Sequence, residues 1–414
     1  MYTIKPFEFL ISILIFLIFS TSIIFTPLKI NTYNVNLDLL LFILLSFLLF
    51  LNNLIVLNKK IFIFLTAYFI YSLFILFLFN YELGGIILNY LGLIVYSVTI
   101  SSLFNYLGYN KMLNIYFKSA IILCFIGVIQ EISFLIGVEF LYSYKWILGY
   151  DNLSFSGPFL KINSLFVEPG FFGPFIVPAS IASFLNFKNE KQLKYKFFYI
   201  IILLALFFTF SLIAYLGFFL FLIYHFRKRK ILLLISLLFA FIIFLIIPSI
   251  NSRILGFTKT SDLNEVNFSS LVYIVNFDAF IHSINYKFIL GNGIDSYGEI
   301  INSSLLNNNT FFNYDSILNL IDNPGDLQLN GSPNLFLRLL VEFGFIGFIL
   351  IFSYFNRMRF YFLTHIWMIF LFGIIAISFR SGMYLRFDLW LFIGFIIYNN
   401  NNKLEFKSFF KPKF

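Results

Sequence analysis

The chain has 414 residues, 60% of them hydrophobic and only 11% charged, with a mean hydropathy of +0.92 and a formal net charge of +9. Soluble domains carry about 25% charged residues, so this composition excludes a soluble enzyme, a disordered protein and a nucleic-acid-binding domain. What fits is an all-α, polytopic integral membrane protein.

Apolar runs long enough to cross a bilayer are the primary signal. In chain order they fall at 7–27, 37–57, 61–79, 84–104, 119–138 and 171–187. Further runs lie at 231–248, 334–354, 361–379 and, less sharply, 383–398. The first has no small-residue cleavage site and no basic leader beyond Lys5, so it reads as a retained helix. The single cysteine, Cys124, lies in an apolar run and supports no disulfide framework.

The 30-residue apolar stretch 197–226 suits one tilted helix or two short ones. Lys188, Lys191, Lys194 and Lys196 precede it, and Arg227, Lys228, Arg229 and Lys230 follow. Basic loops stay in the cytoplasm, so the chain must leave and return between them. The natural break lies between Ser211 and Gly217. This predicts twelve spans with both termini cytoplasmic. On that layout 19 of the 28 Lys and Arg residues fall inside, against only 3 of the 19 acidic ones (Glu8, Glu190 and Glu405). The inner side is thus about +16 and the remainder about −7, an orientation signal of the expected sign.

Four segments follow from this layout. Residues 1–249 hold the first nine spans, with an external loop at 139–170. Residues 250–333 form a large external loop that includes the Asn-rich tract Asn302 to Asn313. Residues 334–398 hold the last three spans, and 399–414 form a basic cytoplasmic tail.

The informative residues are charges placed where charge is costly. Arg338 and Glu342 are four apart and share a helical face, which suits either an internal ion pair or an anion site. Arg380 and Arg386 flank a short external turn, followed by Asp388. Their planar forks suit phosphate, and snorkelling to lipid headgroups is the alternative. Glu168 stands before Pro169 at the start of a helix, either as a carboxylate at its positive end or as a base for a substrate hydroxyl. Glu131 lies in the outer half of its span, where a partner among the outer arginines is expected. Tyr142, Tyr144, Trp146 and Tyr150 read as an interfacial belt or a sugar-stacking surface. Gly291-Asn-Gly293 reads as a turn. No Asp-x-Asp pair occurs, and His225, His282 and His365 do not cluster, so no metal or other cofactor is expected.

Four features together resemble the bacterial O-antigen and capsular polysaccharide polymerases (Wzy type) and, more distantly, the O-antigen ligases. One is Lys161 followed by Ser164-Leu-Phe-Val-Glu168-Pro169 and Phe172-Gly173; another is the Thr209-Phe-Ser211 break. The others are Leu290-Gly-Asn-Gly293 in the long loop, and Ser332-Pro-Asn334 leading to Glu342-Phe-Gly344-Phe-Ile-Gly347. Lys161 stands where the family usually has Arg, and Pro333 where ligases carry a His.

The resemblance implies a GT-C-like architecture and an inverting, metal-independent glycosyl transfer. Its substrate would be an oligosaccharide repeat on undecaprenyl pyrophosphate at the outer face of the cytoplasmic membrane. Glu168, Arg338 and Arg386 are the expected catalytic residues. Lys161, Arg380, Asn334, Glu342, Gly291 and Gly293 are the expected substrate contacts. Membrane lipids and a chain-length regulator protein are the further partners. Rival readings are an O-antigen ligase and, from another class, a flippase of lipid-linked sugars.

Overall fold

The computed structural model describes residues 6–21, 28–30, 33–35, 37–79, 83–143, 153–156, 158–166, 168–187, 190–229, 231–232, 234, 276–277, 280–281, 289–293, 296–298, 334–359, 365–381 and 385–398. In a bilayer every backbone N–H and C=O has to be bonded inside its own segment, so long apolar runs become helices. The N-terminal runs give α1 (Pro6–Thr21), α2 (Leu37–Leu51), α3 (Lys59–Phe79), α4 (Leu83–Leu107) and α5 (Tyr109–Leu135). A small antiparallel hairpin, β1 (Leu28–Ile30) and β2 (Tyr33–Val35), joins the first two helices. After α5 come the single turn α6 (Glu139–Tyr142) and a second hairpin, β3 (Phe155–Ser156) with β4 (Phe159–Leu160). Then follow α7 (Pro169–Phe187), α8 (Leu193–Phe208), α9 (Leu212–Phe226), α10 (Leu335–Arg359), α11 (His365–Arg380) and α12 (Phe387–Ile397).

The molecule is a helical integral membrane protein. Among the described residues, Asn89–Leu107, Tyr109–Leu135 and Pro169–Phe187 are long and apolar enough to cross a membrane. Shorter apolar helices include Pro6–Phe19, Leu212–Phe226 and Phe387–Ile397. Most of the span expected at 231–248 and most of the loop at 250–333 lie outside the described residues. So do the tail at 399–414, the tract Asn302 to Asn313, His282, and Tyr144, Trp146 and Tyr150.

Two boundaries differ from the sequence reading. The segment 105–118, expected as a cytoplasmic loop, is helical apart from Gly108, so Lys111 and Lys118 ride on α5. The break in 197–226 comes at Thr209 to Ser211, just ahead of where it was expected to begin. Thr209 Oγ1 donates to the Leu206 carbonyl at 2.7 Å, and Ser211 Oγ accepts from the Ala214 N–H as the N-cap of α9. Serine and threonine favour such helix ends because their hydroxyls bond the local backbone. Gly217 is instead inside α9, where a Cβ would lie 2.9 Å from that of Ala376 on α11. Its role is close helix approach, the usual use of small residues between membrane helices.

Helix α7 runs through the middle of the core. Tyr116 of α5 donates to the Phe175 carbonyl at 2.8 Å, and its ring meets those of Phe175, Phe370 and Phe392 edge-on. These contacts gather α5, α7, α11 and α12 around one aromatic centre.

The helix ends sort into two groups. At one end, Lys111 pairs with Glu8 at 2.9 Å, Phe7 packs on Tyr106, and Asn58 bonds the Tyr398 hydroxyl. The opposite end gathers the start of α7, the end of α8, the end of α11 and the start of α12. Glu168, Arg380, Arg386 and Asp388, four of the charges singled out from the sequence, are found there.

Candidate functional site

The approach to α7 is built as a buried turn. Gln130, a polar residue in the apolar α5, receives it: its Oε1 accepts from the Asn163 and Ser164 N–H groups, and its Nε2 donates to Asn163 Oδ1 at 2.8 Å. Ser164 takes a positive φ of 53°, and its hydroxyl donates to the Leu123 carbonyl at 2.7 Å. Buried backbone groups must be bonded, and Gln130 supplies three of the bonds that this turn needs. The Ile162 N–H donates to the Phe208 carbonyl, which ties the turn to the end of α8. Lys161 sits half-buried at its start.

This turn delivers Glu168, Pro169, Gly170 and Phe171 to the charged cluster. Arg380, the last residue of α11, forms an ion pair with Glu168. Its guanidinium fills the space beside Gly170, where a Cβ would come within 2.5 Å of Nε. Arg386, at the start of α12, grips Asp388 through two bonds, Nε to Oδ1 at 3.0 Å and Nη2 to Oδ2 at 2.5 Å. Both guanidinium carbons lie over the ring of Phe171, at 4.4 Å for Arg380 and 5.1 Å for Arg386. Cations are attracted to an aromatic face at these distances. The cluster thus presents two forked cations, each with its own carboxylate, mounted on one ring.

A second construction lies on α10. Helix formation is interrupted at Gly344, which adopts φ 61° and ψ −173°. The interruption releases backbone groups of α10, and residues 289–293 bond to it there. Asn292 donates to the Val341 carbonyl from both its N–H and its Nδ2, Gly293 N–H donates to Glu342 O at 2.7 Å, and Ile346 N–H donates to Ile289 O. Gly291 (φ 81°) and Gly344 cross backbone to backbone so closely that neither has room for a Cβ. Tyr71 of α3 closes the clasp, its hydroxyl reaching the carbonyls of Leu290 at 2.6 Å and Phe343 at 3.2 Å.

Arg338 and Glu342 lie just before this kink. Arg338 Nε donates to Glu342 Oε1 at 2.7 Å, and the Glu342 side chain is fully buried. Asn334 is the N-cap of α10, its Oδ1 accepting from the Phe336 N–H at 2.8 Å. Phe336 packs edge-on against Phe379, which sets this turn of α10 beside the end of α11.

Residues 197–352 match a family model described as O-antigen ligase. No curated protein and no solved structure matches the chain. The O-antigen ligase match confirms the resemblance read from the sequence, and it spans α8, the Thr209–Ser211 break, α9 and α10 through its kink. Within the matched span fall Gly291, Gly293, Asn334, Arg338 and Glu342. Glu168, Arg380 and Arg386 lie outside it.

The expected residues therefore divide into two groups. Glu168, Arg380 and Arg386 converge on Phe171. Gly291 and Gly293, expected to contact substrate, are engaged with the backbone of α10, while Asn334 caps that helix and Arg338 holds Glu342. Glu131 does not meet the outer arginines as expected. It is buried in α5, and its carboxylate makes no hydrogen bond among the described residues, with only a loose approach from the backbone of Leu160. Sequence reasoning missed Phe171, Gln130 and Tyr71. A glutamine alone in an apolar helix was the one signal on offer.

Proposed function

We propose that the chain is a membrane glycosyltransferase that polymerises undecaprenyl-pyrophosphate-linked oligosaccharide repeats into O-antigen or capsular polysaccharide. The match of residues 197–352 to the O-antigen ligase family model supports a membrane enzyme of O-antigen processing. The observation that carries the reading is the pair of guanidinium groups, Arg380 and Arg386, over Phe171 and beside Glu168. Forked cations bind phosphate oxygens bidentately, and Glu168 is half exposed and within reach of whatever they hold.

In the reaction, an acceptor hydroxyl attacks the anomeric carbon of the donor sugar. The new glycosidic C–O bond forms as the bond to the pyrophosphate breaks. The hydroxyl proton passes to the Glu168 carboxylate, a general-base contribution of about 10²–10⁴-fold in typical enzymes. Arg380 and Arg386 stabilise the charge that builds on the departing pyrophosphate. Lys161 supports them from the turn that leads into α7, and Arg338 with Glu342 frames the site through α10. Such a displacement inverts the anomeric centre and needs no metal ion. A GT-C-like bundle of twelve crossings with both termini cytoplasmic, the long loop at 250–333 lying outside, completes the reading. A chain-length regulator protein is the partner proposed for it.

The ligase is the second reading, favoured by the description of the matching family. Pro333, where ligases carry His, weighs against it. Deleting the gene and examining surface polysaccharide on a gel separates them. Loss of the polymerase leaves single repeats on the acceptor with no ladder. Loss of a ligase, or of a flippase, removes surface repeats altogether, and that pattern would end the polymerase reading.

A further inference from the structure

The two arginines over Phe171 hold their carboxylates differently. Arg386 and Asp388 share two bonds, and the Asp388 side chain is only 10% exposed. The Leu389 N–H also bonds Asp388 Oδ1 at 2.9 Å, in the first turn of α12 where a negative charge is favoured. That carboxylate is fixed. Glu168, by contrast, is 50% exposed and reaches Arg380 through Nη2, with no second side-chain bond among the described residues. Exposed pairs of this kind are weak because water and salt compete for both partners. The Arg380 guanidinium itself is well seated, against the Phe171 ring and in the space beside Gly170.

We propose that Glu168 is a placeholder on Arg380 which the donor pyrophosphate displaces, so that donor binding is what releases the base. Phe171 and Asp388 are the positioning residues of this exchange: they keep Arg386 as a standing anchor and Arg380 in place while its partner changes. A pyrophosphate carries more charge and more acceptor oxygens than one carboxylate, so it outcompetes Glu168 for the fork. The freed carboxylate stays at the helix start, one residue before Pro169, and faces the acceptor hydroxyl. Until the donor is bound, the Glu168 carboxylate is held by Arg380 and does not act as a base. The exchange rests on the reading of this cluster as the pyrophosphate site.

The test is calorimetric titration of the full-length protein in phosphatidylcholine nanodiscs with inorganic pyrophosphate, in the presence of a chelator. Glu168→Gln removes the competitor and is expected to bind pyrophosphate about two- to fivefold more tightly, the advantage of an exposed ion pair removed. Glu168→Asp keeps the competing charge and is expected to bind like the parent chain. Arg380→Gln and Arg386→Gln are expected to bind at least fivefold more weakly. Thermal unfolding of each variant is followed alongside, so that a misfolded helix start is recognised. If Glu168→Gln is folded and binds no more tightly while both arginine variants weaken binding, the exchange is overturned and the anion site stands. If the arginine variants bind like the parent, or the parent does not bind, the site reading and the exchange fall together.

Discussion

Arg338 and Arg380 each hold a glutamate, yet their surroundings are opposite. Arg338 and Glu342 sit on one face of α10, closed to solvent, next to a kink sealed by Tyr71 and residues 289–293. Arg380 and Glu168 come from helices far apart in sequence and meet at an open end of the bundle. A buried pair is costly to break because the survivor is left as an uncompensated charge. An exposed pair is cheap to break, which suits a place where a ligand must enter. The same two side-chain types thus serve as a fastening in one region and, in the proposed function, as a binding device in the other.

That contrast fixes where substitutions should act, and the largest effect belongs to the open cluster. Arg386→Ala is expected to lower polymerisation about 10²–10³-fold, as does loss of a positioned charge-stabilising donor elsewhere. The protein should remain in the membrane but lose some thermal stability, because Asp388 is left without its partner, so turnover and unfolding are measured on the same sample. Next comes the closed pair. Glu342→Gln or Arg338→Met alone should destabilise by about 3–5 kcal/mol, and the double variant Arg338→Met with Glu342→Leu should recover most of that loss. Unfolding of the three variants in detergent decides it, and a stable single variant would erase the distinction between the regions. Tyr71→Phe removes the hydroxyl from two carbonyls and is expected to cost about 1–2 kcal/mol. Its effect should appear as greater protease access near residues 289–293, with the affinity for inorganic pyrophosphate unchanged. Smallest is the pair at the opposite end: Lys111→Ala should stay within about 1 kcal/mol of the parent, because Lys111 is largely exposed.

Much of this organisation was legible in the sequence, for identifiable reasons. Charge is rare in the chain, so Glu168, Arg380 and Arg386 stood out against the apolar background, and the structure brings all three together. That the stretch 197–226 must break was legible because a basic loop on either side makes the chain go out and come back, while its position at Thr209-Phe-Ser211 was given only by the family resemblance. Phe171 was not, since one ring among 64 phenylalanines carries no signal until two guanidinium groups are seen above it. Tyr71 was hidden for another reason. Its partners are the backbone carbonyls of Leu290 and Phe343, more than 200 positions away, and a carbonyl leaves no mark on sequence. Gly291 and Gly293 were noticed as a turn, but spacing alone does not say whether a turn faces a ligand or another backbone. Here the positive φ angles of Gly291 and Gly344 allow two main chains to cross, a use of glycine that resembles a ligand loop in sequence.

The central claim is that the cluster over Phe171 joins lipid-linked repeats without help from another enzyme. The most direct test is reconstitution of the full-length protein in vesicles with an undecaprenyl-pyrophosphate-linked repeat unit and a chelator, followed by sizing of the products. The account predicts chains of two or more repeats, lost in both Glu168→Ala and Arg386→Ala. Products that stay at one repeat, but are transferred whole when a lipid A core is added, would contradict it and make the chain a ligase.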